Sequence, residues 1–302
     1  GQTARQQRLE LQALLAQGHI PEDEPRFCVQ ASNPSFDKGE LAEKMVAEAR
    51  EAIRLRQPLQ IDYDVRNVNR SIGARLSGEI ARAHGAAGLP ANRLQVGLRG
   101  SAGQSFGVWN APGLELRLEG DANDYVGKGM SGGRLVIYPP RDAGFVAKDS
   151  IIIGNTCLYG ATGGELYAAG IAGERFAVRN SGARAIVEGA GDHCCEYMTG
   201  GCVIVLGSTG LNFGAGMTGG FALVYDEENR FAERYNNELI DIHRIGNESM
   251  RQYRAFLRET IEQHVALTDS AHGKALLSDY ADVIGRFWLV KPKAAHLDSL
   301  LK

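Results

Sequence analysis

Tryptophan, proline and long apolar runs are all scarce in this chain of 302 residues, which carries 2 Trp and 9 Pro. Its longest purely apolar stretches, such as Val203 to Leu206 and Phe287 to Val290, run to four or five residues. Crossing a bilayer as a helix takes roughly 18 to 20. So little Pro, with no strict three-residue period, excludes a collagen repeat. A net charge of −3 is too small to draw a polyphosphate or an acidic membrane by bulk attraction. Cysteine is sparse and odd in number: Cys28, Cys157, Cys194, Cys195 and Cys202 contain no Cys-x-x-Cys pair. A disulfide framework is therefore not expected, and a reducing, cytoplasmic setting fits best. No secretory leader pattern is read. The chain begins at Gly1 rather than Met, as a processed product or an excised domain would.

Glycine, in contrast, is abundant. There are 38 glycines, and 28 of them fall between Gly97 and Gly220, so one segment has a specific need for them. With 44% apolar and 23% charged residues the chain can bury a sizeable core. Residues 1–96 read as a lead-in of helix and strand: a Gln-rich helix from Thr3 through Gln17, and a helix after Asp37 with Met45, Val46, Ala49 and Ile53 on its apolar face. An alternating strand over Leu59, Ile61, Tyr63 and Val65 and a short helix around Leu76 and Ile80 follow. Residues 227–302 read as a helical cap. One helix, capped by Asn247 or Ser249, carries Met250, Tyr253, Leu257, Ile261 and Val265, and a second carries Leu276, Tyr280, Val283 and Phe287.

Between them, residues 97–226 repeat. Anchors at Gly113, Gly133, Gly164, Gly182, Gly201 and Gly220 are spaced 20, 31, 18, 19 and 19 residues apart, a period near 19 with one insertion over about Pro140 to Asp149. The third residue after each anchor is apolar (Leu116, Val136, Tyr167, Ala185, Ile204, Leu223), and so is the fifth (Leu118, Tyr138, Ala169, Val187, Leu206, Tyr225). Period two over five residues predicts a strand with one buried face, too short a unit to include a helix. The expected fold is mainly β: a right-handed parallel β-helix of about 19-residue turns, with glycine serving the corners where φ is positive.

Several strings here imitate catalytic motifs. Gly127-Lys-Gly-Met-Ser-Gly132 and Gly214-Ala-Gly-Met-Thr-Gly219 match a dinucleotide fingerprint but lead into strands, whereas the phosphate site needs a helix N-terminus. Gly103-Gln-Ser-Phe-Gly107 matches a nucleophile elbow, yet Ser105 shares its repeat position with Tyr125, Thr156, His193 and Asn212, and no helix follows. Cys157 and Cys194 share theirs with Phe106, Val126 and Phe213, the place of a small buried hydrophobe. Adjacent Cys194 and Cys195 are expected on opposite faces of a strand, which disfavours a shared metal. Asp121, Asn123 and Asp124 suit turn chemistry better than a calcium loop. No catalytic, cofactor-binding or metal-binding residue is therefore assigned. The alternative is an enzyme using the solenoid face with a metal at His193 and Cys195.

Four strings carry a resemblance: Gly100-Ser-Ala-Gly-Gln-Ser-Phe-Gly-Val-Trp-Asn110, Gly120-Asp-Ala-Asn-Asp-Tyr-Val-Gly-Lys-Gly-Met130, Gly154-Asn-Thr-Cys-Leu-Tyr-Gly-Ala-Thr-Gly-Gly164 and Asn212-Phe-Gly-Ala-Gly-Met-Thr-Gly-Gly220. From about Phe27 to Pro292 the chain resembles the C-terminal, Gly-x-Gly-x-Gly repeat domain of the large (α) subunit of bacterial NADPH-dependent glutamate synthase. The resemblance implies a structural β-helix in an enzyme that makes two glutamates from glutamine and 2-oxoglutarate. It also implies electrons from NADPH through FMN and an iron-sulfur cluster, with FAD in the small subunit. The glutaminase nucleophile, the FMN site and the cluster cysteines of that family lie upstream of this domain, so no cofactor is expected in these residues. Its implied partners are the glutaminase and synthase domains of the same large subunit, and the small NADPH-oxidising subunit; neither nucleic acid nor membrane is expected. One β-helical component of formylmethanofuran dehydrogenase has a similar repeat and is the nearest alternative.

Overall fold

A computed structural model describes residues 3–16, 18, 20–33 and 38–301. Residues 1–38 and 39–302 form two compact units. In the first, the single helix expected from Thr3 is replaced by a 3-10 turn, Gln6–Arg8, and one short helix, α1 (Gln12–Leu15). The N-cap of the turn is Arg5 rather than Thr3, although the Gln6 amide donates to Thr3 Oγ1 at 3.4 Å, and Gln6 Oε1 accepts from the Thr3 amide at 2.8 Å. Leu9, Leu11, Leu14 and Leu15 are all exposed, so no buried face sustains a longer helix, and short helices are marginal without one. Gln17 and Asp37 lie outside the described residues.

The second unit opens with α2 (Glu40–Leu55), β1 (Leu59–Val65) and α3 (Ala74–His84). The faces of α2 and α3 expected to be apolar, with Met45, Val46, Ala49, Ile53, Leu76 and Ile80, are buried in one core with the strands. The strands that follow are β2 (Leu94–Ala102), β3 (Leu114–Ala122), β4 (Ser131–Tyr138), β5 (Ile151–Ile153), β6 (Gly163–Ala172), β7 (Ser181–Ala190), β8 (Thr199–Val205) and β9 (Gly219–Tyr225). After β10 (Ile240–Arg244) come α4 (Arg251–Thr268), α5 (Ala271–Ser278), α6 (Tyr280–Val283) and β11 (Phe287–Pro292). Strands β1, β2, β3, β4, β6, β7, β8 and β9 pair in that order, every step parallel. The fold is mainly β, a solenoid of about seven turns with helices at its ends. The parallel stack already includes β1 and β2, and the insertion between β4 and β5 returns the chain to pair β5 with β3 and β6.

Two expectations need correction. Phe287 does not end a helix: β11 runs antiparallel to β9 and pairs β10 on its other side. The edge that the last turn would leave open is thus covered by a strand, which satisfies its backbone groups directly. The repeat register is also shifted in two turns. Arg134 pairs with Glu115 and Glu165, and Arg184 pairs with Glu165 and Cys202. Gly113 and Gly182 therefore stand one residue out of line with Gly133, Gly164, Gly201 and Gly220. A β-bulge precedes Arg134 in its pairing with β6 and Arg184 in its pairing with β8, and such a bulge takes up an extra residue.

The outward face and the corner as candidate functional sites

The corrected register separates inward from outward side chains. Leu116, Leu135, Leu166, Ala185, Val203 and Ala222 face one another in the interior. The next residue of each strand points out, giving the ladder Asp62, Gly97, Arg117, Val136, Tyr167, Ile186, Ile204 and Leu223. It carries Asp, Gly and Arg on its first three strands and apolar side chains on the last five. Tyr167, Ile186, Ile204 and Leu223 are buried in a second core beneath Tyr253, Leu257 and Ile261 of α4. The helical stripe that spacing predicts has its partner here: the outside of the solenoid. Phe221 meets Tyr253 and Phe256 edge-on, with ring centres 5.9 and 5.7 Å apart.

One polar cluster lies within this contact. Glu188, outward on β7, accepts a hydrogen bond from Ser270 Oγ and faces His264 Nε2 at 3.3 Å. Ser270 Oγ also accepts from the Gly273 amide at 2.8 Å and so caps α5. All three residues are buried, and Glu188 Oε2 and His264 Nδ1 have no hydrogen-bond partner among the described residues. The carboxylate sits between serine and histidine, so it cannot orient the histidine toward the hydroxyl as a nucleophilic triad requires. Its chemistry is that of a polar latch between solenoid and helices.

The uncovered half of the same face is an open cleft of about 410 Å³ rimmed by Asp62, Asp64, Arg99, Arg117, Glu119 and Tyr138. Gly97 forms its floor, because a Cβ there would fall 2.0 Å from Asp62 Oδ1. Arg117 donates to Glu115 at 3.3 Å and to the Leu267 carbonyl at 2.8 Å, and Arg99 lies 3.6 Å from Glu119. Sequence reasoning did not single out this cleft or the Glu188 latch. Neither follows a motif; each is assembled from neighbouring coils or from residues 76 to 82 positions apart.

The imitation motifs all lie in one repeated corner. In six successive coils three alternate residues adopt positive φ: Ser105, Gly107, Trp109; Tyr125, Gly127, Gly129; Thr156, Leu158, Gly160; Arg175, Ala177, Arg179; His193, Cys195, Tyr197; and Asn212, Gly214, Gly216. Glycine fills only six of these eighteen places. The expectation that positive φ at the corners calls for glycine is thus corrected for most of them. In the first five coils their amides donate alternately to the next coil and the previous one. Tyr125 donates to Asn155 O (2.9 Å), Gly127 to Phe106 O (2.8 Å) and Gly129 to Tyr159 O (2.9 Å). These hydrogen bonds hold the other residues in a conformation that costs about 1 to 2 kcal/mol each. Glycine is indispensable where backbones touch, as at Gly201 (φ 81), whose added Cβ would lie 2.3 Å from Ala183 O. At Gly220 (φ 70) it would lie 2.6 Å from Gly201 O. Gly113, Gly133 and Gly164 have φ of 84, 70 and 93, and Gly182 is not in the positive region.

Both fingerprint strings run into strands, β4 and β9, rather than helices. Ser105 is a corner residue whose amide donates to Asp124 O at 2.8 Å. Asp124 Oδ1 accepts from the Asn155 amide at 2.8 Å, as Asp192 Oδ1 does from Leu211 at 2.7 Å, which is turn chemistry. Phe106, Val126, Cys157, Phe176, Cys194 and Phe213 form a buried interior column. Cys194 and Cys195 do not face opposite sides: both are buried in the interior, with Sγ atoms 3.8 Å apart, because positive φ at Cys195 breaks strand alternation. Burial pushes the Cys157 thiol up to about 12 and those of Cys195 and Cys202 well above the ordinary range. His193 lies half-buried outside the stack, facing Glu196 Oε1 at 3.4 Å and Asn212 Nδ2 at 3.1 Å. Among the described residues no group of three or more His, Cys, Asp or Glu side chains could hold a metal ion, and no helix is long and apolar enough to cross a membrane.

Fold and face together define a parallel β-solenoid domain whose outer sheet is half covered by its own helices. The chain belongs to the GXGXG motif family, whose model matches residues 40–293. It is 50% identical over 253 residues to a glutamate synthase [NADH] of Schizosaccharomyces pombe, which is 84% of this chain and 12% of that protein. It is 48% identical over 264 residues to ferredoxin-dependent glutamate synthase 2 of Synechocystis sp., 87% of this chain and 16% of that one. The chloroplastic ferredoxin-dependent enzyme of Spinacia oleracea is 42% identical over 290 residues, 95% of this chain and 18% of that protein. The chain thus spans less than a fifth of these relatives.

Proposed function

We propose that this chain is the non-catalytic, C-terminal structural domain of a glutamate synthase large subunit, of the bacterial NADPH-dependent type. Its place is to hold the glutaminase and synthase domains of one polypeptide at a fixed separation. In this reading residues 1–96 are a lead-in that contributes β1 and the start of β2 to the stack, 97–226 form the rest of the solenoid and 227–302 cap it. FMN, the iron-sulfur cluster and the NADPH-oxidising small subunit belong to the parent enzyme, which works in the cytoplasm. The observation that carries the reading is the match to glutamate synthases along a solenoid whose interior is continuous from β1 to β9. Such a stack, each coil hydrogen-bonded to the next, is a stiff spacer. The groups that would carry chemistry support it too: Cys157 and Cys195 are buried thiols held protonated, and Ser105 and His193 serve corner contacts.

The test is purification of the chain by itself. It is expected to show no flavin absorbance, no iron or zinc, and no glutamine hydrolysis. Stoichiometric metal with His193 and Cys195 required for its retention would instead establish the face as a metal site.

A further inference from the structure

The corner described above has an outer surface that the stacking of coils does not explain. Its third position runs along the solenoid as Trp109, Gly129, Gly160, Arg179, Tyr197 and Gly216, the first five each linked to the next coil through the backbone. Trp109 and Tyr197 are 63% and 55% exposed, yet both sit at positive φ, 55° and 53°, where a bulky side chain is strained. Each has a glycine beside it in the next coil. A Cβ on Gly129 would lie 3.0 Å from the Trp109 ring, and one on Gly216 would lie 2.4 Å from the Tyr197 ring. Lys128 extends the surface, its Nζ 5.1 Å from the centre of the Tyr125 ring and 5.9 Å from that of Tyr159. Of the acidic groups at this corner, Glu196 pairs with Arg175 at 3.7 Å and Asp192 accepts from the Leu211 amide, while Glu174 is exposed. Lys128 and Arg179 enter no ion pair among the described residues. Strained aromatics, seated on glycines, exposed and flanked by two uncompensated cations, have the composition of interface anchors.

We infer that this corner, centred on Trp109, Lys128, Arg179 and Tyr197, is the surface on which the solenoid docks the remaining domains of its polypeptide. The partner surface supplies carboxylates to Lys128 and Arg179 and apolar side chains to the two rings. The inference rests on the scaffold reading above. It commits to the same polypeptide because more than four fifths of each curated relative lies outside the matched region, and because the apolar half of the outward sheet is already covered by α4. Charge complementarity selects an acidic patch on those domains.

The test uses the full-length enzyme. Carbodiimide cross-linking followed by mass spectrometry is expected to join Lys128 to an Asp or Glu outside these 302 residues. Lys128→Glu is expected to raise the rate at which limited proteolysis releases the solenoid by tenfold or more. Trp109→Gly and Tyr197→Gly, which relieve the backbone and so do not threaten folding, are expected to raise it severalfold. Cross-links from Lys128 only within the chain or to a second copy, with release rates unchanged in all three variants, overturn the inference. If that enzyme still forms glutamate from glutamine and 2-oxoglutarate, the scaffold reading survives; if it forms none, that reading fails first.

Discussion

Along one ladder of the outer sheet the side chain changes from Asp62, Gly97 and Arg117 to Ile186, Ile204 and Leu223, while the pairing stays parallel throughout. The inward ladder beside it stays apolar throughout. The stack itself is therefore indifferent to what its outward face carries, since the interior and the ladder hydrogen bonds are complete in both halves. What differs is the neighbour: α4 lies against the apolar half, and the polar half borders an open cleft. A solenoid of this kind separates the residues that build it from those that choose what it touches.

The strongest way to break this comparison is to place a charge in the covered half. Ile204→Asp would bury a carboxylate among Leu223, Tyr253 and Leu257, and is expected to cost more than about 4 kcal/mol in denaturant unfolding. Asp62→Ala, on the same ladder but exposed, is expected to stay within about 0.5 kcal/mol. Equal effects would mean that the helices do not cover the sheet. A second pair of carboxylates repeats the contrast, Asp64 exposed on β1 and Glu188 buried on β7. Glu188→Ala strands the Ser270 hydroxyl and His264, and is expected to cost about 2 kcal/mol. Asp64→Ala should be close to silent.

Much of the repeat was legible from residues alone: the strand runs, the insertion between Pro140 and Asp149, and the absence of helices after the fingerprint strings. The register failed at Gly113 and Gly182 for a physical reason. In runs such as Cys202-Val-Ile-Val-Leu and Phe221-Ala-Leu-Val-Tyr both faces are buried, so period two carries no phase, and a bulge costs nothing visible in the sequence. The corner was half legible. Its glycines signalled positive φ, but twelve of its eighteen places hold other residues, and only the alternating hydrogen bonds between coils reveal why they tolerate it. The latch was not legible at all. Glu188 is a single charge in an apolar strand, and its partners lie 76 and 82 residues away.

The thiols sharpen the same comparison without a large energetic change at neutral pH. Cys28 is exposed, Cys202 lies under the helical cover, and Cys157, Cys194 and Cys195 are in the interior. One thiol is expected to react with an aromatic disulfide reagent in the native protein. In mild denaturant Cys202 should react next, before the interior three, because the cover can lift without unstacking the coils. Simultaneous reaction of all four would show that cover and stack unfold as one unit. The folded Cys157 thiol is held up to about 12, against 9.0 for an ordinary one. Below pH 9 its protonated form costs nothing; as pH rises from 9 toward 12 the unfolded chain loses its proton first, and stability is lost. Cys157→Ala should flatten that alkaline decline.

The smallest expected effect is at the exposed rim of the cleft, where Arg99 lies 3.6 Å from Glu119 and is itself largely in solvent. Pairs of this kind contribute about 0 to 1 kcal/mol and are screened by salt. Arg99→Ala is expected to lower stability by less than about 0.5 kcal/mol, with the difference vanishing near 0.5 M salt, where the screening length falls to roughly 4 Å. The same measurement on Arg134, bonded to Glu165 at 2.9 Å and facing Glu115 at 3.3 Å, should give a larger loss that salt does not erase, since Arg134 is half-buried and its partner Glu115 buried. If the two arginines respond alike, burial by neighbouring coils does not distinguish the polar half from the covered one.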